Sequence, residues 1–251
     1  MVVTGRRRFR RWILRSGIAA VAVAAALTAA TFWFMPVAFA YLCPACFGFE
    51  RLGGKFYIEA VMPAEARSRF LAAVDEGEKK VALAYGELWR APVVLACFTA
   101  SCDRRIGGRG ARGVAYGEVL LRLSPLGLDP VIIGHERSHI EFHARLGFWL
   151  LLTEAVPAWF DEGLAVIVAD DARYLLPGKS GADRCRGDPE GPLPVSRREW
   201  GPSAGRDQQL YARAACRVWR WMNANNGMSG VLALIDQLRA GKPFEQIYRE
   251  P

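Results

Sequence analysis

Apolar and polar positions divide this chain into distinct segments. From Gly17 to Leu42 the run is apolar apart from Thr28 and Thr31. A helix needs about 20 apolar residues to cross a bilayer, so the run predicts one membrane span. Beyond it the pattern changes to short elements. Lys55–Val61, Pro92–Phe98 and Gly113–Leu123 are rich in β-branched, aromatic and leucine residues and predict strands. Between the first two, Pro63 opens a helical pattern that runs to about Trp89, with Phe70, Val74, Val81 and Leu88 among its apolar positions. Asp103–Arg112 is a glycine- and arginine-rich loop.

Asp129-Pro130 is a helix start, with Asp as N-cap and Pro at the first helical position, and Gly147 is a stop. Pro157 opens a further helix. Asp171–Gly205 is rich in Pro, Gly and Arg and reads as loop, with helices following near 207–224, 228–240 and 243–249. The pattern predicts an α+β domain over 55–251, preceded by a basic tail (1–16), the span (17–42) and a cysteine-containing juxtamembrane segment (43–54).

Charge sharpens the topology. The formal net charge is +8. Arg6, Arg7, Arg8, Arg10, Arg11 and Arg15 all precede the first acidic residue, Glu50. Setting these six aside leaves 27 of the 33 basic residues against 25 acidic ones, a balance of +2. The basic character therefore belongs to the tail and predicts no nucleic-acid partner. Arginines ahead of a span stay in the cytoplasm, which predicts a single-pass protein of the bacterial inner membrane with its domain on the extracytoplasmic side. Ala38-Phe39-Ala40 resembles a signal-peptidase site, so a cleaved signal is the alternative, although the run exceeds the usual signal core. All six cysteines follow the span. In an oxidising compartment they predict disulfides, most simply Cys43/Cys46, Cys97/Cys102 and Cys185/Cys216. A Cys43-Pro44-Ala45-Cys46 redox motif and a four-cysteine zinc site are the other readings.

The chemistry is concentrated in one helix. His135-Glu136-Arg137-Ser138-His139 is an HExxH sequence, and all three histidines of the chain, including His143, lie in this helix. Residues four apart share a helix face, so His135 and His139 can hold one metal ion. Glu136 is rotated by about 100° from His135 and points beside the ion, where it can act as a general base. Catalytic zinc has three protein ligands and one open position, and Glu162 is the candidate third ligand. His143, about 12 Å along the axis from His135, is too far to share that ion and reads as a helix-surface or supporting residue. Asp161 is a weaker rival ligand that could instead orient an imidazole.

HERSH followed by Pro157-Ala158-Trp159-Phe160-Asp161-Glu162-Gly163-Leu164-Ala165 resembles the gluzincin branch of zinc metallopeptidases, more narrowly the peptidase MA-like group. The resemblance spans roughly Gly113 to Trp221. It implies a zincin-like fold, zinc on His135, His139 and Glu162, Glu136 as general base, and a peptide or protein substrate. It also implies an edge strand, at Gly113–Leu123, on which an extended peptide could lie. A downstream tyrosine stabilises the oxyanion in such enzymes, and Tyr211 is the candidate here. Arg137 departs from the family's usual hydrophobic residue, and either faces solvent or tunes Glu136. The rival expectation is a non-catalytic zincin-fold module for peptide binding or envelope assembly. A hydrolase of another amide bond is a third.

Overall fold

The computed structural model describes residues 17, 20–23, 35–177, 184–186, 190–207 and 209–249. Residues 18, 19 and 24–34 of the expected span over 17–42 lie outside this set. Among the described residues, no helix is long and apolar enough to cross a membrane. The end of the expected span is a separate short helix, α1 (Pro36–Leu42), opened by its proline and packed on the domain. Its Val37 and Ala40 are buried among Leu95, Cys97 and Ile106. A disulfide between Cys43 and Cys46 follows it immediately.

Five strands form one sheet. They are β1 (Phe49–Gly53), β2 (Phe56–Glu59), β3 (Val93–Ala96), β4 (Gly113–Tyr116) and β5 (Leu120–Leu123), in the order β1-β2-β3-β5-β4. The three central strands are parallel and both outer pairs antiparallel. Two expectations change here. Strand β1 lies within the segment expected to be a juxtamembrane link. The single strand expected over 113–123 is a hairpin, folded at Gly117 with φ of +58°, a left-handed conformation that glycine adopts without a Cβ penalty. The register pairs Ala115 with Leu121 and leaves β4 as an open edge.

The crossover from β2 to β3 is helix α2 (Ala64–Tyr85), ended at Gly86 rather than near Trp89. Helix α3 (Ala100–Arg105) takes up the first part of the expected arginine loop. Thr99 caps it, its hydroxyl accepting from the Cys102 N–H, and the Cys97–Cys102 disulfide spans the cap. Helix α4 (Pro130–Leu146) carries HERSH. It lies against α2 and the sheet through Ile132 and Ile133, which are buried with Phe70, Val74, Leu121 and Leu123.

The carboxy-terminal half is helical. The elements are α5 (Phe148–Leu152), α6 (Ala158–Ala169), α7 (Arg197–Arg206), α8 (Leu210–Ala224), α9 (Met228–Arg239) and α10 (Phe244–Ile247). Helix α7 falls in a region expected to be loop. The second core joins these elements to α4 through Phe142, Phe160, Leu164, Val218, Trp221 and Leu234. Full burial of side chains of this size contributes roughly 1.5–3 kcal/mol each. Helices α6 and α8 meet at Gly163, where a Cβ would stand 2.6 Å from the Ala214 carbonyl oxygen, so only glycine permits the approach.

The sheet side is fixed to α4 by a buried carboxylate. Glu141 accepts from the N–H groups of Trp89 (2.9 Å) and Arg90 (3.1 Å) and pairs with Arg145. Arg137 neither faces solvent nor touches Glu136. It is buried behind the helix, 3.1 Å from Glu78, and donates to the Arg90 carbonyl at 2.9 Å. The third expected cysteine pair is brought together differently from the other two: Cys185 and Cys216 are thiols joined by a hydrogen bond, without a disulfide.

Candidate metal centre

The local sequence places the site before any tertiary contact does. The Asp129 carboxylate accepts from the Val131 N–H at 2.9 Å, fixing the first turn of α4. One turn later the helix presents His135, and the next turn presents His139. Helix α6, begun at Pro157, brings Glu162 across from them.

The three ligand atoms converge. His135 Nε2 and His139 Nε2 are 3.1 Å apart. Glu162 Oε2 is 3.3 Å from the first and 3.7 Å from the second. A tetrahedral ion with bonds of about 2.0–2.1 Å has ligands about 3.3 Å apart along each edge. The observed triangle matches one face of such a tetrahedron. These three side chains could therefore hold a metal ion.

Asp161 organises the ligands from behind. Its Oδ1 lies 2.7 Å from His139 Nδ1 and its Oδ2 lies 2.8 Å from His143 Nε2. A carboxylate only accepts, so His139 carries its hydrogen on Nδ1 and, when neutral, offers the Nε2 lone pair to the ion. His139, His143 and Asp161 are also close enough to form a second metal set. The two contacts to Asp161 have hydrogen-bond lengths shorter than a coordination edge, which suits this group to supporting the first set. His143 is thus buried and not on the helix surface. It stacks on His139 and its Nδ1 lies 3.2 Å from the Gly117 carbonyl oxygen.

Glu136 stands beside the ligands, against β4. A Cβ on Gly113 would come within 2.5 Å of Glu136 Cγ, so the edge strand presses directly on this carboxylate. The cleft in front of it has a volume of about 300 Å³. It is bounded by Gly113–Ala115 on one side and by Arg197, Trp200 and Tyr211 on the other. The Tyr211 ring lies 6.1 Å from His135 and is stacked on Tyr174 at 5.0 Å.

The electrostatics divide the carboxylates into two kinds. Burial pushes the Glu136 pKa up, with the two imidazoles only partly opposing it. Burial would also raise Glu162, but hydrogen bonds from His135 and His139 bring it down to about 2. Asp161 is buried too, yet His139 and His143 hold it well below the usual carboxylate range. Burial disfavours a charged His139, but Asp161 and Glu162 outweigh this and hold its pKa well above that of a free imidazole. Burial raises the Tyr211 phenol, which stays protonated and able to donate.

All five residues expected at the site, His135, Glu136, His139, Glu162 and Tyr211, line one cleft. Sequence reasoning missed Arg197. Its guanidinium lies 3.6 Å from Asp161 at the cleft wall, and Ser196-Arg197-Arg198-Glu199 carries no motif to mark it. No family model, curated protein or solved structure matches this chain.

Proposed function

We propose that the chain is a zincin-like metallopeptidase of gluzincin type, held at the outer face of a bacterial inner membrane and hydrolysing peptide bonds with zinc on His135, His139 and Glu162. The observation that carries this reading is the pairing of a three-atom ligand triangle with a separate carboxylate, Glu136, that faces the same cleft. A purely structural zinc site closes all four positions with protein ligands and has no use for such a carboxylate. Zinc, when bound, supplies Lewis-acid polarisation of the scissile carbonyl and makes water more acidic.

The chain's own groups supply the rest. Glu136 takes the proton from the attacking water and delivers it to the leaving amine. Its raised pKa suits a group that must both accept and return a proton near neutral pH. Edge strand β4, whose Ala115 backbone is hydrogen-bonded to Glu136, offers its outer edge to an extended substrate and aligns the scissile bond with that carboxylate. Tyr211 donates its phenolic hydrogen to the developing oxyanion. Asp161 keeps His139 in the tautomer a ligand needs.

The test is hydrolysis of a mixed peptide library by the full chain in neutral detergent, read by mass spectrometry. Wild type is expected to cut and Glu136→Gln, carrying the same zinc, to lose at least 100-fold. Equal cutting by the two proteins would refute the assignment. Binding of peptides without cutting, unchanged in Glu136→Gln, would make the chain a recognition module.

A further inference from the structure

A second concavity lies away from the metal centre, between α1 and α3. It is lined by Met35, Pro36, Val37, Ile106 and Tyr116 on its apolar side and by Arg104 and Arg109 on its charged side. Its volume of about 470 Å³ exceeds that of the metal cleft.

The positive charge here is concentrated. Arg104 and Arg109 line the concavity and are exposed, as is their neighbour Arg105, whereas Arg112 of the same segment lies beside His135 and Glu136. Among the described residues, no carboxylate pairs with Arg104, Arg105 or Arg109. The segment's own acid, Asp103, is used elsewhere: it is buried and pairs with the buried Arg122. Gly108 folds over that pair, since a Cβ there would collide with the Asp103 carboxylate. From Arg104 to Gly117 the sequence contains no acidic residue.

The concavity is also rigidly built. Both disulfides flank it, Cys43–Cys46 just after α1 and Cys97–Cys102 holding the start of α3. Pro36 of α1 packs against Gly107, where a Cβ would lie 3.1 Å from the proline ring. Met35, the residue before α1, therefore lines the same concavity as Arg104 and Arg109. In the sequence the apolar run of Gly17–Leu42 passes through Met35 and ends with α1, on the wall of the concavity. At the two ends of α1, Met35 is 50% exposed and Leu42 is 75% exposed.

We infer that this concavity is a headgroup site for an anionic phospholipid of the membrane that holds the chain. Guanidinium groups match phosphate oxygens in a fork geometry, while Met35, Val37 and Tyr116 face the glycerol and upper acyl carbons. The inference rests on the membrane-attached reading proposed above, and gives that attachment a lipid preference and the domain a fixed orientation. A basic residue near an anionic lipid surface is worth about fivefold in affinity. Removing Arg104 and Arg109 should therefore weaken phosphatidylglycerol binding by about 25-fold.

The experiment is native mass spectrometry of the full chain in neutral detergent, titrated with phosphatidylglycerol or phosphatidylcholine. Wild type is expected to retain one phosphatidylglycerol, and Arg104→Gln/Arg109→Gln to lose it. Arg206→Gln/Arg239→Gln, two exposed arginines elsewhere, should retain it. Thermal unfolding checks that each variant is folded, and the single Arg109→Gln change, in a glycine-flanked loop, serves if the double one is not. Equal retention of the two lipids, or unchanged retention by the folded double or single variant, overturns the proposal. Displacement by an equal concentration of inorganic phosphate also overturns it, showing a free-anion site in place of a lipid site. Alkaline extraction of membranes from expressing cells tests the attachment separately. A chain released by alkali fails the attachment reading, whatever its lipid preference.

Discussion

His139 and Asp161 are joined by a 2.7 Å hydrogen bond from the imidazole Nδ1 to a carboxylate that is itself buried and shared with His143. The bond turns His139 Nε2 towards His135 and Glu162. Partners of this kind are worth roughly 10–100-fold in metal affinity. Asp161→Asn, which can present an amide donor to Nδ1, is expected to weaken zinc binding within that range while leaving Glu136 in place. Competition with a fluorescent chelator measures it. Wild-type affinity in the variant would show that packing alone orients the ring.

Protons and metal compete for the same ligands. Glu162 titrates at about 2 in the folded chain, below its ordinary 4.5. Its contribution to stability is therefore complete above about 4.5 and is lost as pH falls through 2. His139 titrates above its ordinary 6.5. Its contribution is complete below about 6.5 and is lost as pH rises through the folded value. Metal-free protein should therefore gain most from this pair between about pH 4.5 and 6.5. Zinc uptake near neutral pH should release a proton from His139. Thermal unfolding in chelator, compared with His139→Gln across pH, and titration calorimetry in buffers of different ionisation heat would show both. Zinc uptake at pH 6 without proton release would contradict the prediction.

Gly113 is the point where the edge strand touches the proposed base. Gly113→Ala would place a Cβ 2.5 Å from Glu136 Cγ and 2.8 Å from its Oε1, forcing the carboxylate aside. The expected result is unchanged zinc content with peptide hydrolysis reduced roughly 10–100-fold, part of what a general base supplies. Full activity would mean that Glu136 can rotate away without cost and that its present placement is not needed.

Gly163 provides a test of the fold without touching a ligand directly. In Gly163→Ala the new methyl carbon would meet the Ala214 carbonyl at 2.6 Å and Val218 Cγ2 at 2.9 Å. Overpacking of this kind costs about 1–3 kcal/mol, which should lower the unfolding midpoint by several degrees. An unchanged midpoint would show that α6 and α8 separate freely.

The metal helix was readable because its signals are local. Asp129, Pro130 and Gly147 mark its ends, and the helix observed runs Pro130–Leu146. HERSH fixes its ligand face by spacing alone. The surroundings were less legible. Helix α4 is enclosed on nearly all sides, and Arg137, Ser138, Glu141 and Arg145 are buried with the ligands. Polar periodicity then no longer reports exposure, which is why Arg137 reads from sequence as a solvent-facing or base-tuning residue. Strand β1, Phe-Glu-Arg-Leu-Gly, is a polar edge strand without apolar alternation. Helix α7 contains Gly201, Pro202 and Gly205, residues that oppose helix formation, so tertiary packing of Trp200 must favour it. The proximity of Asp161 to both His139 and His143 arises from the crossing of α4 and α6, which no local pattern encodes.

The most direct test of the central claim is the zinc content of the purified full chain beside His135→Ala and Glu162→Ala. The account predicts about one zinc per wild-type chain, lost in each folded variant. A folded wild type that takes up no zinc when it is supplied, or variants that keep the full complement, would contradict the three-ligand centre.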